Sequence, residues 1–430
     1  MNKILIYILT LFILSNCSFN KNSKIWKKEE LQLENKENVK IILADKEVNI
    51  TELNPYIKIN LSNINFISND NHNNFGFQSY SGEFENNGSY KFSKHKDNKF
   101  LDTSPSFLNN GLIYYDGKGS IIRFDDQKKT IWKKNYYTKP EIKKSPKLNF
   151  FIKNDLLIVV DNISKIYLID AKNGNLIWKK NNEYPFNSEI KVFEDRFFVV
   201  DYLNTLRCFY IKDGSNCWTV ETEESFTISD TKYSIVIVED KIIFNNSIGD
   251  ITAVDISSGS IIWQTPTQSS KIKSEAYSFK VSQLVTDKKS IFFSNNKNEF
   301  YSLDVKTGTL NWLNKINSDI TPILYNNYIF TFSNDGYFYV LQKNQGNIIR
   351  INHIFKYYKV KNRKKIKPIG FSIGKNDLYL SNNDGKLMII DLKTAQLKNI
   401  ENISRISISK PIIKNKKLYI VKAGSILEYN

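Results

Sequence analysis

One pattern constrains this chain more than any other. KIYLIDAKNGNLIW (residues 165–178) opens with an alternating apolar run, turns at Lys172-Asn173-Gly174 and leaves through Leu176-Ile177-Trp178. Asp170 and Gly174 suit a tight hairpin turn, because Gly accepts φ > 0 and an Asp side chain can bond its own backbone. DITAVDISSGSIIW (250–263) and EFYSLDVKTGTLNW (299–312) repeat it, and TLRCFYIKDGSNCW (205–218) is a worn copy. Another apolar run precedes each copy, at 156–160, 196–200, 241–244 and 291–293. Each unit therefore predicts about four strands. A period of roughly 40–50 residues with four strands is that of a propeller blade.

Seven units reach the hairpin: 104–132, 145–178, 189–218, one ending at Trp263, one ending at Trp312, 321–350 and 367–398. The sixth carries Arg350 where Trp is expected, and the seventh carries Ala395 where the turn Gly is expected. The eighth, 409–430, ends after three strands. A ring must close or leave two open strand edges. The expected fold is thus all-β: an eight-bladed β-propeller of four-stranded antiparallel blades, the last closed by an N-terminal strand. Residues 74–79, with Phe75 in the Trp role, are the expected closing strand. Period-2 alternation turns every second residue between neighbouring blades. Trp132, Trp178, Trp218, Trp263 and Trp312 are expected to be structural, each burying its ring between blades and offering its N–H to a carbonyl.

Ahead of the repeats lie Lys3, an apolar run at 4–14 and Leu14-Ser15-Asn16-Cys17. A basic residue, a short apolar core and a cleavage region make an export signal, too short for a lasting transmembrane helix. The organisation predicted is a signal peptide at 1–16, a lipidated tether and irregular arm at 17–55, and a propeller at 56–430. An ordinary secretory signal with an incidental Cys is the alternative. The formal net charge is +17. No Arg-rich stripe interleaved with aromatics is present, and export argues against nucleic acid, so the lysines are read as solvent-facing strand positions. The densest basic run, 359–367, is read as a solvated loop between two units.

AVDISSGSIIW (253–263) and SLDVKTGTLNW (302–312) resemble the PQQ-like, or tryptophan-docking, repeat. Leu14 and Cys17 resemble the lipobox of bacterial lipoproteins, with Asn16 where Gly or Ala is usual. Ser18 after the Cys implies the outer rather than the inner membrane. Lipobox and eight units together resemble the BamB family of outer-membrane β-barrel assembly lipoproteins. That resemblance implies a non-catalytic scaffold with no cofactor, lipid-anchored at Cys17 on the periplasmic face of the outer membrane. Its implied partners are the POTRA domains of a BamA-like barrel-inserting channel protein and nascent outer-membrane proteins. It also implies partner-facing loops at 220–232 and 264–280. Phe226, Ile228 and Asp230 in the first, with Tyr277 and Phe279 in the second, are the candidate contacts. Burial of Phe226 and Ile228 between blades is the competing reading.

The same repeat builds quinoprotein dehydrogenases, which carry adjacent cysteines over the quinone and an Asp/Glu/Asn set for the metal. No Cys-Cys pair occurs here, and His72, His95 and His353 have no partner spacing for metal or nucleophile. A lipoprotein propeller binding glycan or peptide is the third reading. Cys208 and Cys217 lie on the two arms of one hairpin, opposite each other or one residue off. A bulge at the turn would be expected to set them on opposite faces. In an oxidising compartment they are expected to pair, against the alternative of two reduced, buried thiols.

Overall fold

Among the described residues of the computed structural model (80, 82–93, 101, 103–223, 231–267 and 279–430), the strands form eight four-stranded antiparallel sheets. Blades 1 to 7 occupy residues 106–134, 148–181, 191–220, 235–265, 285–314, 323–353 and 368–402, and their strands are ordered as they run in sequence. Blade 8 takes three strands from the C-terminus, Ile412–Lys414, Lys417–Lys422 and Ser425–Tyr429. Its fourth is Asn86–Lys91, antiparallel to Ser425–Tyr429. The ring is closed from the N-terminal side as the missing strand demanded.

The closing strand itself differs from expectation. Residues 74–79 and Phe75 lie outside the described residues, and it is Asn86–Lys91 that pairs with the last strand. This NNGSYK segment has no aliphatic run, and only Tyr90 in it is fully buried. Sequence patterning has nothing to detect there, because an outermost strand buries little. Its register is fixed by the neighbouring blade rather than by its own hydrophobicity. Phe84, just before it, stacks on Tyr429 with ring centroids 4.1 Å apart, and Tyr80 donates its hydroxyl to the Asn430 carbonyl at 2.9 Å.

The apolar core is divided among the blade interfaces. One cluster joins Ile158, Val160 and Leu168 of blade 2 to Phe197, Val199 and Phe209 of blade 3. Another joins Phe198 and Cys208 of blade 3 to Ile242 and Val254 of blade 4. Each blade buries both faces against neighbours, so no blade holds its shape alone.

The five Trp residues lock five successive joints. The indole N–H of Trp132 donates to the Ala171 carbonyl at 3.0 Å, Trp178 to Ile211 at 3.0 Å, Trp218 to Ile256 at 3.3 Å, Trp263 to Val305 at 3.1 Å and Trp312 to Lys343 at 3.0 Å. Each acceptor follows the third strand of the next blade. The turn of that next blade places its Gly on the indole. At Gly174, with φ of +72°, an added Cβ would lie 2.9 Å from the Trp132 ring. The turn is held as its sequence implies, with the Gly174 N–H donating to the Asp170 carbonyl at 2.8 Å and the Lys172 N–H to Asp170 Oδ1 at 2.7 Å.

Arg350 and Ala395 belong to the same joint, between blades 6 and 7. The joint that lacks the Trp is also the joint that lacks the Gly. Arg350 is fully buried, and burial lowers its pKa against the opposing pull of Asp391, the first residue of the Ala395 turn. Ala395 keeps the turn conformation, with φ of 56° and its N–H on the Asp391 carbonyl at 2.8 Å.

Every outer strand of blades 1 to 7 slips register by one residue just before the Trp position. In blade 3 the bulged residue is Cys217: Cys208 pairs with Trp218, and Phe209 with Asn216. Such a bulge sets two residues against one on the partner strand. It therefore brings Cys217 alongside Trp218 toward Cys208, whereas a bulge was expected to turn the two cysteines to opposite faces. The Cα atoms are 5.2 Å apart and a disulfide joins the two sulfurs. We expect non-reducing mass mapping to recover 208 and 217 in one linked pair. Reduction should cost at most about 2–3 kcal/mol, since the closed loop is short. Quantitative alkylation of both thiols in unfolded, unreduced protein would rule the bridge out.

Candidate functional site

Alternating strand direction puts all links from one blade's outer strand to the next blade's inner strand on one face of the ring. The turns between second and third strands share that face. Several of these turns are capped by an acid or amide. Asp161 Oδ1 accepts from Ile163 N–H at 2.9 Å and Lys165 N–H at 2.8 Å, and Asp201 Oδ1 from Leu203 N–H at 3.0 Å and Thr205 N–H at 3.2 Å. These carboxylates are committed to turn structure. The basic run 359–367 also lies on this face, between blades 6 and 7. It includes a short helix, Val360–Arg363, which presents Val360 to solvent at 74% exposure.

The described ends of both loops expected to meet a partner, 220–223 with 231–232 and 264–267 with 279–280, belong to this face and bracket blade 4. Phe226, Ile228, Asp230 and Tyr277 lie outside the described residues. Phe279 is described, and it corrects the expectation: it is 3% exposed. It packs in the core between blades 4 and 5, its ring against Gly249, where an added Cβ would come within 2.5 Å of it. The family resemblance implied an exposed anchor at Phe279; its ring instead belongs to the core at the edge of blade 5. His353 ends the outer strand of blade 6 and stacks on Tyr337, with centroids 4.4 Å apart. The described residues contain no group of three or more His, Cys, Asp or Glu placed to hold a metal ion.

A second feature was not anticipated. The inner strands surround a cavity of about 480 Å³, lined by residues of blades 1, 2, 3, 6, 7 and 8 and by Lys232 and Gln283 on the links into blades 4 and 5. Its walls are mixed: Phe107, Phe150, Ile190, Ile323, Phe371 and Pro411 beside Glu189, Lys191, Lys232, Gln283 and Lys410. Lys410, on the lead into blade 8, donates to Gln283 Oε1, on the lead into blade 5, at 3.4 Å. Lys232, on the link into blade 4, donates to Asn149 Oδ1 of blade 2 at 2.6 Å. Lys191 is 1% exposed and its ammonium lies 3.5 Å from Glu189. Burial lowers the pKa of Lys191, offset in part by Glu189. Burial also lowers that of Lys410, where Glu189 opposes the shift and Lys191 adds to it. These lysines are not the solvent-facing residues that composition suggested. The signal present in the sequence was a Lys inside or beside the short inner-strand runs, at 191 and 410.

The ring, the Trp–Gly joints and the turn pattern define a β-propeller of PQQ-like repeats. The family model of the outer membrane protein assembly factor BamB matches residues 117–352, more than half of the chain, and the chain belongs to that family. A crystal structure of BamB from Moraxella catarrhalis is 16% identical, with a TM-score of 0.65 over 81% of this chain and 99% of that one. A europium-containing methanol dehydrogenase is 10% identical, with a TM-score of 0.62 over 80% of this chain and 86% of that one. A computationally designed protein, Ika8, is 11% identical, with a TM-score of 0.60 over 80% and 99%. At such identities the likeness is one of fold. No curated protein sequence matches the chain.

Proposed function

We propose that this chain is a non-catalytic scaffold of outer-membrane β-barrel assembly, held by lipid on Cys17 at the periplasmic face of the outer membrane. Membership of the BamB family is the observation that carries the reading. In it, the propeller binds the POTRA region of a BamA-like channel protein through the loops that bracket blade 4. Phe226 and Ile228 supply apolar anchor area, with Asp230 and Tyr277 at the rim. Nascent outer-membrane proteins are then handed to that channel.

The test is capture of the tagged, full-length protein from its own membranes. The expected result is co-purification of the POTRA-bearing channel protein. It should fall at least fivefold for the double variant Phe226→Ala, Ile228→Ala, with the melting temperature within about 2 °C of wild type, as for residues outside a core. Recovery of polysaccharide alone would favour the glycan-binding reading. A large thermal loss with unchanged capture would make the two residues core.

Anchoring has its own test. Cys17→Ser is expected to move the protein from the membrane fraction to the soluble fraction or leave it uncleaved. Fractionation identical to wild type would remove the lipid from the proposal.

The likeness to a methanol dehydrogenase keeps a catalytic rival on the table. Cys208 and Cys217 belong to the outer half of blade 3, away from the ring axis, and among the described residues the axial cavity presents Glu189 and Asp319 as acids. Quinone-dependent alcohol oxidation by the purified protein, supplied with PQQ and Ca²⁺, would overturn the scaffold reading.

A further inference from the structure

We infer that the basic loop between blades 6 and 7, residues 354–367, docks on an anionic phospholipid surface. The inference goes beyond the scaffold reading and requires neither its channel partner nor its lipid anchor. Sequence alone reads this run as a solvated loop; the structure ties it down. Ile354, Phe355, Tyr358 and Ile366 are buried in the apolar core shared by blades 6 and 7. Phe355 lies on Gly336 of the blade 6 turn, and the Ile354 N–H donates to the Gly336 carbonyl at 2.9 Å. Arg363 turns inward. Its Nε donates to the Tyr358 carbonyl at 2.9 Å and one Nη to the Lys356 carbonyl at 2.7 Å. At the far end, Asn383 of blade 7 accepts the Lys367 N–H at 2.9 Å and donates to the Lys365 carbonyl at 3.0 Å.

These ties leave a fixed outer surface. Lys356, Lys359, Lys361, Lys364, Lys365 and Lys367 are all exposed on it. No Asp or Glu occurs from 351 to 376. The acids of the flanking segments on this face are three. Asp384 accepts the Tyr358 hydroxyl at 3.3 Å and pairs with Lys386 at 3.3 Å. Glu401, near the end of the blade 7 outer strand, accepts the Asn399 amide at 2.6 Å. Asp335 is exposed in the blade 6 turn. Lys386 and Arg405 add two cations to the same face, so positive charge stays in clear excess.

Two apolar side chains stand within this basic surface. Val360 is 74% exposed and Tyr357 43%. The buried residues beside Tyr357 hold it outward, and Val360 sits in the short helix that Arg363 closes. An acidic protein chain would be met by the lysines alone. The apolar pair suits a surface whose charge lies over hydrocarbon, with Tyr at headgroup level and Val just beneath. A cluster of about four to eight basic side chains is the size that anionic lipid attracts.

The test is co-sedimentation of the full-length protein with vesicles of phosphatidylcholine alone and with about 30% phosphatidylglycerol added. An acyl chain or signal segment at the N-terminus would add to both alike, so the ratio of the two partition coefficients reports the loop. The expected ratio is at least twentyfold in about 0.05 M salt and falls toward one in about 0.5 M. Lys359→Gln, Lys361→Gln, Lys364→Gln and Lys365→Gln together should cut the ratio at least tenfold. Lys134→Gln, Lys179→Gln, Lys180→Gln and Lys212→Gln remove the same charge from exposed positions of blades 1, 2 and 3 and should keep it within twofold. A second measurement needs no variant. The phosphatidylglycerol vesicles should slow acetylation of Lys361 and Lys364 by acetic anhydride at least fivefold, read by peptide mass spectrometry, and leave Lys179 unaffected. Equal partition into both vesicle types, equal effects of the two quadruple variants, or no protection of Lys361 would each overturn the assignment. Binding of poly-L-glutamate that the vesicles fail to displace would give the loop to an acidic protein and overturn it as well.

Discussion

Trp132→Ala is expected to lower stability by about 3–5 kcal/mol, the range for removing a large aromatic side chain from a core. Trp132 is 8% exposed, more buried than the other four blade tryptophans. Truncation removes the ring that fills the joint between blades 1 and 2. It also removes the N–H that satisfies the Ala171 carbonyl at 3.0 Å. The joint cannot collapse to fill the space, because Gly174 opposite has no side chain to advance. Thermal denaturation should show a fall of about 5–10 °C with native far-UV circular dichroism before the transition. Trp132→Phe, which keeps most of the area and loses the hydrogen bond, should recover more than half of the loss. A melt indistinguishable from wild type would mean that the Trp–Gly joints are decoration. A still sharper test is Gly174→Ala, whose methyl would meet the indole at 2.9 Å and also strain a backbone held at φ of +72°.

The second large effect is expected at the closure of the ring, where no Trp serves. Glu428, in the last strand, is buried with its side chain only 1% exposed. It accepts from Lys128 at 3.1 Å, Lys417 at 2.9 Å and the Tyr90 hydroxyl at 3.0 Å. Lys128 belongs to the turn of blade 1 and Tyr90 to the closing strand. One carboxylate therefore ties together blade 8, blade 1 and the segment returned from the N-terminal side. Glu428→Leu strands the Tyr90 hydroxyl, which is 2% exposed as a residue, and releases both lysines. Breaking a buried pair from one side costs about 3–5 kcal/mol. The lysine side chains are 17% and 36% exposed and can turn to water, so about 2–3 kcal/mol is expected here. The cost should be felt locally. Trypsin is expected to cut the Glu428→Leu variant at Lys91 well before it cuts the rest of the propeller, and wild type to resist at that bond.

The same carboxylate gives the closure a pH dependence of definite sign. Burial pushes its pKa up, but hydrogen bonds from Lys417, Lys128 and Tyr90 outweigh that and hold it below the ordinary 4.5. A depressed pKa favours the ionised form in the folded chain. The stabilisation is therefore present above pH 4.5 and lost as pH falls through the lower, folded value. Glu428→Gln should cost most at neutral pH and progressively less in acid. Parallel stability-against-pH curves for wild type and Glu428→Gln would show that this carboxylate is not the latch.

The repeat was legible in the chain because a blade is a local object. Alternation, the Asp-x-x-x-Gly turn and the closing Trp lie within about thirty residues, and each follows from backbone geometry and the burial of a large ring. Even the exceptions at Arg350 and Ala395 could be read, although only the structure shows that they face each other across one joint. What escaped the sequence depends on contacts between distant segments. Asn86–Lys91 is a strand because Ser425–Tyr429 presents an open edge to it, not because its own residues favour one. Phe279 is core because Gly249 leaves room for its ring. Lys191, Lys232 and Lys410 form a cluster only after eight blades have brought their inner strands to one axis. Periodicity records which side of a strand a residue occupies; what stands opposite that side is decided by closure of the ring.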